Sequence, residues 1–102
     1  MTLRISSLTK EYVKTKVTAK EAGVEVDPTG DVVEFAFTAR DADPTTWTAG
    51  AWETIDDDDY WARVVIGPGG DITLPKGEYD AWVRITEVLE IPARRFDVLI
   101  VF

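Results

Sequence analysis

Leu74-Pro75-Lys76-Gly77-Glu78-Tyr79-Asp80-Ala81-Trp82-Val83-Arg84-Ile85-Thr86 is the stretch that decides the fold class of this chain. Pro75 fixes its own φ and Gly77 supplies a backbone freedom that other residues lack, so a turn is encoded locally. After it, Tyr79, Ala81, Val83 and Ile85 alternate with Asp80, Trp82 and Arg84. A period of two is that of a strand with one face on a core. A connection over residues 87–92 follows, where Pro92 blocks pairing at its own nitrogen. A second apolar run from Arg94 to Phe102 then reads as the closing strand, with Val98 and Ile100 expected to point inward.

Upstream the same pattern recurs. Val13, Thr15, Val17 and Ala19 alternate with Tyr12, Lys14, Lys16 and Thr18, and Ala22-Gly23 reads as a hairpin turn onto Val24 and Val26. Asp27-Pro28-Thr29-Gly30 is a strong turn signal. Val33, Phe35 and Phe37 mark a core strand, and residues 40–50 form the longest loop, with at most one helical turn near residues 42–46. A short strand near Ala51 leads through Asp56-Asp57-Asp58-Asp59 to Tyr60, Ala62, Val64 and Ile66, stopped by Gly67-Pro68-Gly69-Gly70. A brief strand at Ile72 to Leu74 precedes the opening stretch. About seven or eight short strands with turns every eight to twelve residues define an all-β, immunoglobulin-like antiparallel sandwich. Tyr79, just after its turn, is placed like the corner tyrosine of such sandwiches. The expected core is Val33, Phe35, Phe37, Val64, Ile66, Tyr79, Val83, Ile85, Val98 and Ile100.

With 102 residues, the chain fits one domain spanning 1–102. It has no Cys and no His, which excludes disulfides, thiolate or imidazole metal sites and every nucleophile–His arrangement. No signal core or membrane-spanning run is seen, and the expectation is a soluble product made in a reducing cytoplasm. A net charge of −8 repels phosphate, so nucleic acid is not the expected partner, and without a spanning run neither is a membrane. The charge is laid out unevenly: residues 1–20 carry five bases and one acid, whereas residues 21–80 carry fifteen acids and three bases. Two readings follow, local neutralisation within the domain or a basic edge of one subunit meeting an acidic edge of the next.

No reaction centre is visible, and no enzyme activity or cofactor is expected. Asp56-Asp57-Asp58-Asp59 offers hard oxygens for a cation but lacks the glycine and offset Glu of a calcium loop, so a solvated hairpin tip is the expectation. Gly67-Pro68-Gly69-Gly70 has no helix after it to hold phosphate and reads as a turn. The aromatic residues carry more. If Tyr60 and Tyr79 face the core, Trp61 with Arg63 and Trp82 with Arg84 face outward, and Trp47 and Trp52 extend that patch. Trp and Arg are enriched in protein interfaces. Trp61, Arg63, Trp82, Arg84, Lys14 and Lys16 are therefore the candidate interface residues. Two other readings stand beside docking: Trp residues capping the edge of the core, or flat platforms for sugar.

Five segments carry a resemblance: Thr2-Leu3-Arg4-Ile5-Ser6-Ser7-Leu8, Asp27-Pro28-Thr29-Gly30-Asp31-Val32-Val33, Val65-Ile66-Gly67-Pro68-Gly69-Gly70, Gly77-Glu78-Tyr79-Asp80-Ala81-Trp82-Val83 and Leu99-Ile100-Val101-Phe102. Together they resemble small β-sandwich proteins from the head and head–tail modules of tailed bacteriophages of actinobacteria. The resemblance implies a virion structural protein with no catalytic residues. It implies docking at the head–tail neck beside further copies of itself. The alternatives are a minor capsid or capsid-decoration protein, or, from another class, a carbohydrate-binding module on the virion surface.

Overall fold

The computed structural model describes residues 2–21, 24–56, 59–86 and 93–102. Their strands are β1 (Thr2–Ile5), β2 (Glu11–Val17), β3 (Ala19–Glu21), β4 (Val24–Val26), β5 (Val32–Ala39), β6 (Thr48–Ala49), β7 (Ala51–Asp56), β8 (Asp59–Ile66), β9 (Gly77–Thr86) and β10 (Ala93–Val101). Eight of them build two sheets, ordered β1-β10-β9-β5-β6 and β2-β8-β7, and β3 pairs β4 as a separate ribbon. No helix occurs among the described residues, so the turn of helix near residues 42–46 does not form. The expected strand at Ile72 shrinks to a single bridge between Ile72 and Ile66. The Ala22-Gly23 turn and the 87–92 connection lie outside the described residues.

The arrangement is a β-sandwich, with the three-stranded sheet facing the sheet that holds the closing strands. Among the described residues the named strands pair antiparallel with one exception. β1 pairs β10 in parallel, from Thr2 opposite Val98 to Ile5 opposite Val101. The two inner faces supply one core. Val33, Phe35, Val83, Ile85, Leu99, Val101 and Ile5 meet Val13, Val17, Ala62, Val64 and Ile66. Phe35 is fully buried, with the Phe96 ring edge-on at 5.9 Å. The chain crosses between sheets at Gly50, where a Cβ would sit 2.6 Å from both the Phe35 ring and the Arg63 carbonyl. That close approach requires glycine.

The corner geometry is present: the Tyr79 hydroxyl donates to the Pro75 carbonyl at 2.6 Å. Burial raises the Tyr79 pKa above its ordinary value, which keeps that donor protonated. The Asp27-Pro28-Thr29-Gly30 turn is closed by Thr29 N–H donating to Asp27 Oδ1 at 2.8 Å and Asp31 N–H to the Pro28 carbonyl at 3.0 Å.

Two core assignments need correction. Val98 and Ile100 are half-buried on the outer face, and Leu99 and Val101 are buried in their place. The cause is a register shift between Arg95 and Asp97. A bulge sets two residues against one and reverses the inward phase beyond it. Phe37 and Tyr79 pack against the core but stay half-buried.

Candidate docking faces

Strand alternation and sheet order divide the six candidate residues between two opposite faces. In the three-stranded sheet, Lys14 lies opposite Arg63 and Lys16 opposite Trp61, while Val13, Ala62 and Val64 turn into the core. In the five-stranded sheet, Trp82 lies opposite Ala36 and Arg84 opposite Glu34, with Val83 and Ile85 facing inward. Lys14, Lys16, Trp61 and Arg63 thus share one outer face, and Trp82 and Arg84 share the other.

On the first face Glu53 gathers the cations. Lys14 Nζ lies 2.9 Å from Glu53 Oε2, and Arg63 Nη1 lies 3.4 Å from the same oxygen. The hydrogen bond from Lys14 is the main reason the Glu53 carboxyl sits below its ordinary pKa. Tyr12, 53% exposed, lies beneath both cations, with Arg63 4.7 Å and Lys14 5.8 Å from its ring centroid. Such stacking stabilises a cation over an aromatic face. The Arg63 Nε is buried and has no hydrogen-bond partner among the described residues. Trp61 is half-buried. At Lys14 the charge of the basic first segment is therefore balanced inside the chain.

On the second face Arg84 holds Glu34 Oε1 at 2.9 Å and lies 4.4 Å from the Trp47 ring centroid. The Trp82 indole N–H donates to Thr38 Oγ1 at 3.1 Å, and the ring is half-buried. Trp47 extends this face as expected. Trp52 does not: it lies opposite Ala62 on the inward phase, packs against the core and donates its indole N–H to the Asp31 carbonyl at 2.9 Å.

Sequence reading missed Asp80, the most consequential polar residue. It is 2% exposed although it sits on the outer phase of β9. Its carboxylate accepts from Asp41 N–H at 2.8 Å, Arg40 Nε at 2.9 Å and Arg95 Nη1 at 3.3 Å. The Asp41 amide is the largest reason that the Asp80 pKa lies below the ordinary value, ahead of Arg95 and Arg40 and against the opposing effect of burial. Asp41 takes a φ of 66°, left-handed for a non-glycine residue, so this carboxylate fixes the start of the loop that carries Trp47. Tyr12 was within reach of sequence reading, because it shares the phase of Lys14 and Lys16.

Among the described residues no group of three or more Asp or Glu gathers to hold a metal ion. The Asp56-Asp57-Asp58-Asp59 candidate turns on Asp57 and Asp58, which lie outside the described residues. No helix of the described residues is long and apolar enough to cross a membrane. Comparison with protein-family models, with curated proteins and with solved structures returned no match.

Proposed function

We propose that this chain is a non-enzymatic structural protein of a tailed-bacteriophage virion, docking in several copies at the head–tail neck. The observation that carries the reading is the pair of Trp–Arg rows on opposite outer faces, Trp61 with Arg63 and Trp82 with Arg84. Large aromatic and guanidinium groups concentrate binding energy when a partner excludes water from them. Rows on both broad faces suit a small rigid body held between neighbours. The five segments resembling head and head–tail module proteins supply the setting. A place on the capsid lattice, as a minor capsid or decoration protein, uses the same faces and differs only in the partner. The sugar-platform reading draws less support, because Arg84 already occupies a face of Trp47 at 4.4 Å and the Trp82 N–H is taken by Thr38.

The test is to image intact virions for density of this chain and to count copies in particles assembled with Trp82→Ala. A loss of about 2 kcal/mol at the interface, the usual threshold for a dominant contact, corresponds to roughly 30-fold weaker docking. Density at the neck and depleted mutant particles support the proposal. Absence of the chain from particles sinks it. Normal incorporation together with lost binding to host-wall glycans transfers the role of Trp82 to sugar recognition.

A further inference from the structure

One bulge in β10 decides where two arginines point. Leu99 and Val101 are buried, and their inward phase, carried back without a break, would turn Arg95 and Ala93 toward the core. The register shift between Arg95 and Asp97 reverses this. Arg94 lies opposite the buried Val83, on the inward phase, and Arg95 lies opposite Trp82, where it reaches Asp80. Bulges beside binding sites commonly re-aim a side chain in this way. An arginine on an inward phase is costly unless its charge finds water or an anion.

Arg94 bridges the gap between the two sheets. Its Nη2 donates to the Lys16 carbonyl on β2 at 3.1 Å, a bond that fixes the side chain and leaves most of its donors for another acceptor. Arg40, Arg63, Arg84 and Arg95 each hold a carboxylate, whereas Arg94 has none among the described residues. Beside it, between the sheets, lies a cavity of about 180 Å³. Val17, Val83 and Ile85 give the cavity an apolar wall, and Thr18 brings a hydroxyl. Arg84 also borders it, with its guanidinium committed to Glu34. The free guanidinium at this cavity is therefore that of Arg94.

We propose that this cavity binds a small carboxylic acid with a compact apolar body, the body against Val17, Val83 and Ile85 and the carboxylate on Arg94. A hydrogen bond between guanidinium and carboxylate is assisted by charge, and it strengthens beside an apolar wall that keeps water away. The bond to Lys16 holds Arg94 in place beforehand, so less freedom is lost when the guest arrives. Size and charge both restrict that guest. An apolar cavity of about 150 Å³ accepts benzene, so this one suits a single phenyl ring or an alkyl chain of similar bulk. One guanidinium matches one negative charge, and a chain of net charge −8 repels multiply charged anions. A neutral guest leaves Arg94 without its counter-charge, and a cation is repelled by it. The site is separate from the Trp–Arg rows, and the inference holds whether or not the chain belongs to a virion.

Phenylacetate is the probe, titrated into the full chain and followed by methyl-resolved NMR. Expected is saturable, millimolar binding with shifts at the methyl groups of Val17, Val83 and Ile85. Phenylacetamide, which keeps the shape and loses the charge, should bind about ten-fold more weakly, and phenethylamine more weakly still. Arg94→Gln should lower the affinity for phenylacetate by about ten-fold and leave that for phenylacetamide unchanged. Should Arg94→Gln fail to fold, the three ligands on the unaltered chain decide the matter. Equal binding of the acid and the amide overturns the proposal. So does a titration that fails to saturate, or one whose shifts avoid Val17, Val83 and Ile85. Discrimination retained by a folded Arg94→Gln chain overturns it too, because the charge is then read elsewhere.

Discussion

Replacing Asp80 by Asn removes a charge from a nearly isosteric side chain and tests whether the carboxylate clasp holds the outer face together. Three donors converge on it at 2.8, 2.9 and 3.3 Å, from Asp41, Arg40 and Arg95. The two arginines are 42% and 48% exposed, so they rehydrate when the charge is lost, and each contributes at most about 1 kcal/mol. The Asp41 amide matters more, since a hydrogen bond to a charged group contributes about 1.5–3 kcal/mol and a neutral one about 1. Asn keeps a neutral acceptor in place. The expected loss for Asp80→Asn at pH 7 is thus about 1–2 kcal/mol, and for Asp80→Ala, which strands the amide, about 2–4 kcal/mol. The pH dependence has a definite sign. Because the folded pKa lies below the ordinary value, the charge contributes fully above the unfolded carboxylate range near pH 4. That contribution fades as pH falls through the lower, folded pKa. Urea unfolding followed by tryptophan fluorescence at pH 7 and near pH 2–3 should show the gap between wild type and Asp80→Asn narrowing in acid. A gap of equal size at both pH values, or none at pH 7, would refute the argument.

Phe35→Ala should cost about 3–5 kcal/mol, since the ring is fully buried against Phe96, whereas Phe37→Ala, at a half-buried ring, should cost about 2 kcal/mol; calorimetry on both variants ranks them, and equal losses would contradict the inward packing. Tyr79→Phe removes the hydroxyl that reaches the Pro75 carbonyl and should lower stability by about 0.5–1.5 kcal/mol with no change in fold, as read by denaturant midpoint and circular dichroism.

Alternation was the legible part of this chain. Val33, Phe35, Val64, Ile66, Val83 and Ile85 are buried as their phase requires, because each sits in an uninterrupted run of period two. The closing strand misled for a physical reason: nothing in Arg95-Phe96-Asp97 announces an extra residue, and one bulge turns every later side chain over. β1 escaped notice because its partner lies at the other end of the chain and four residues show little periodicity. The same holds for the site. Alternation put Lys14, Lys16, Trp61, Arg63, Trp82 and Arg84 outward, but only the sheet assignment separates the first four from the last two. Asp80 was hidden because its partners Arg40 and Asp41 are about forty residues away, and a charge on an outward phase ordinarily reads as solvated.

The parallel contact between β1 and β10 sets how the molecule bears tension. Thr2 lies beside Val98 and Ile5 beside Val101, so the two strands run in the same direction, and Phe102 N–H closes the row on the Ile5 carbonyl at 3.0 Å. A pull on residues 2 and 102 in opposite senses slides these strands along one another. The whole row of hydrogen bonds is then strained together, where an antiparallel hairpin pulled from its open end peels one bond at a time. Stretched from its termini, the sandwich yields by shear: it stays rigid up to a threshold force and then opens abruptly, with the β1–β10 contact as the first to fail.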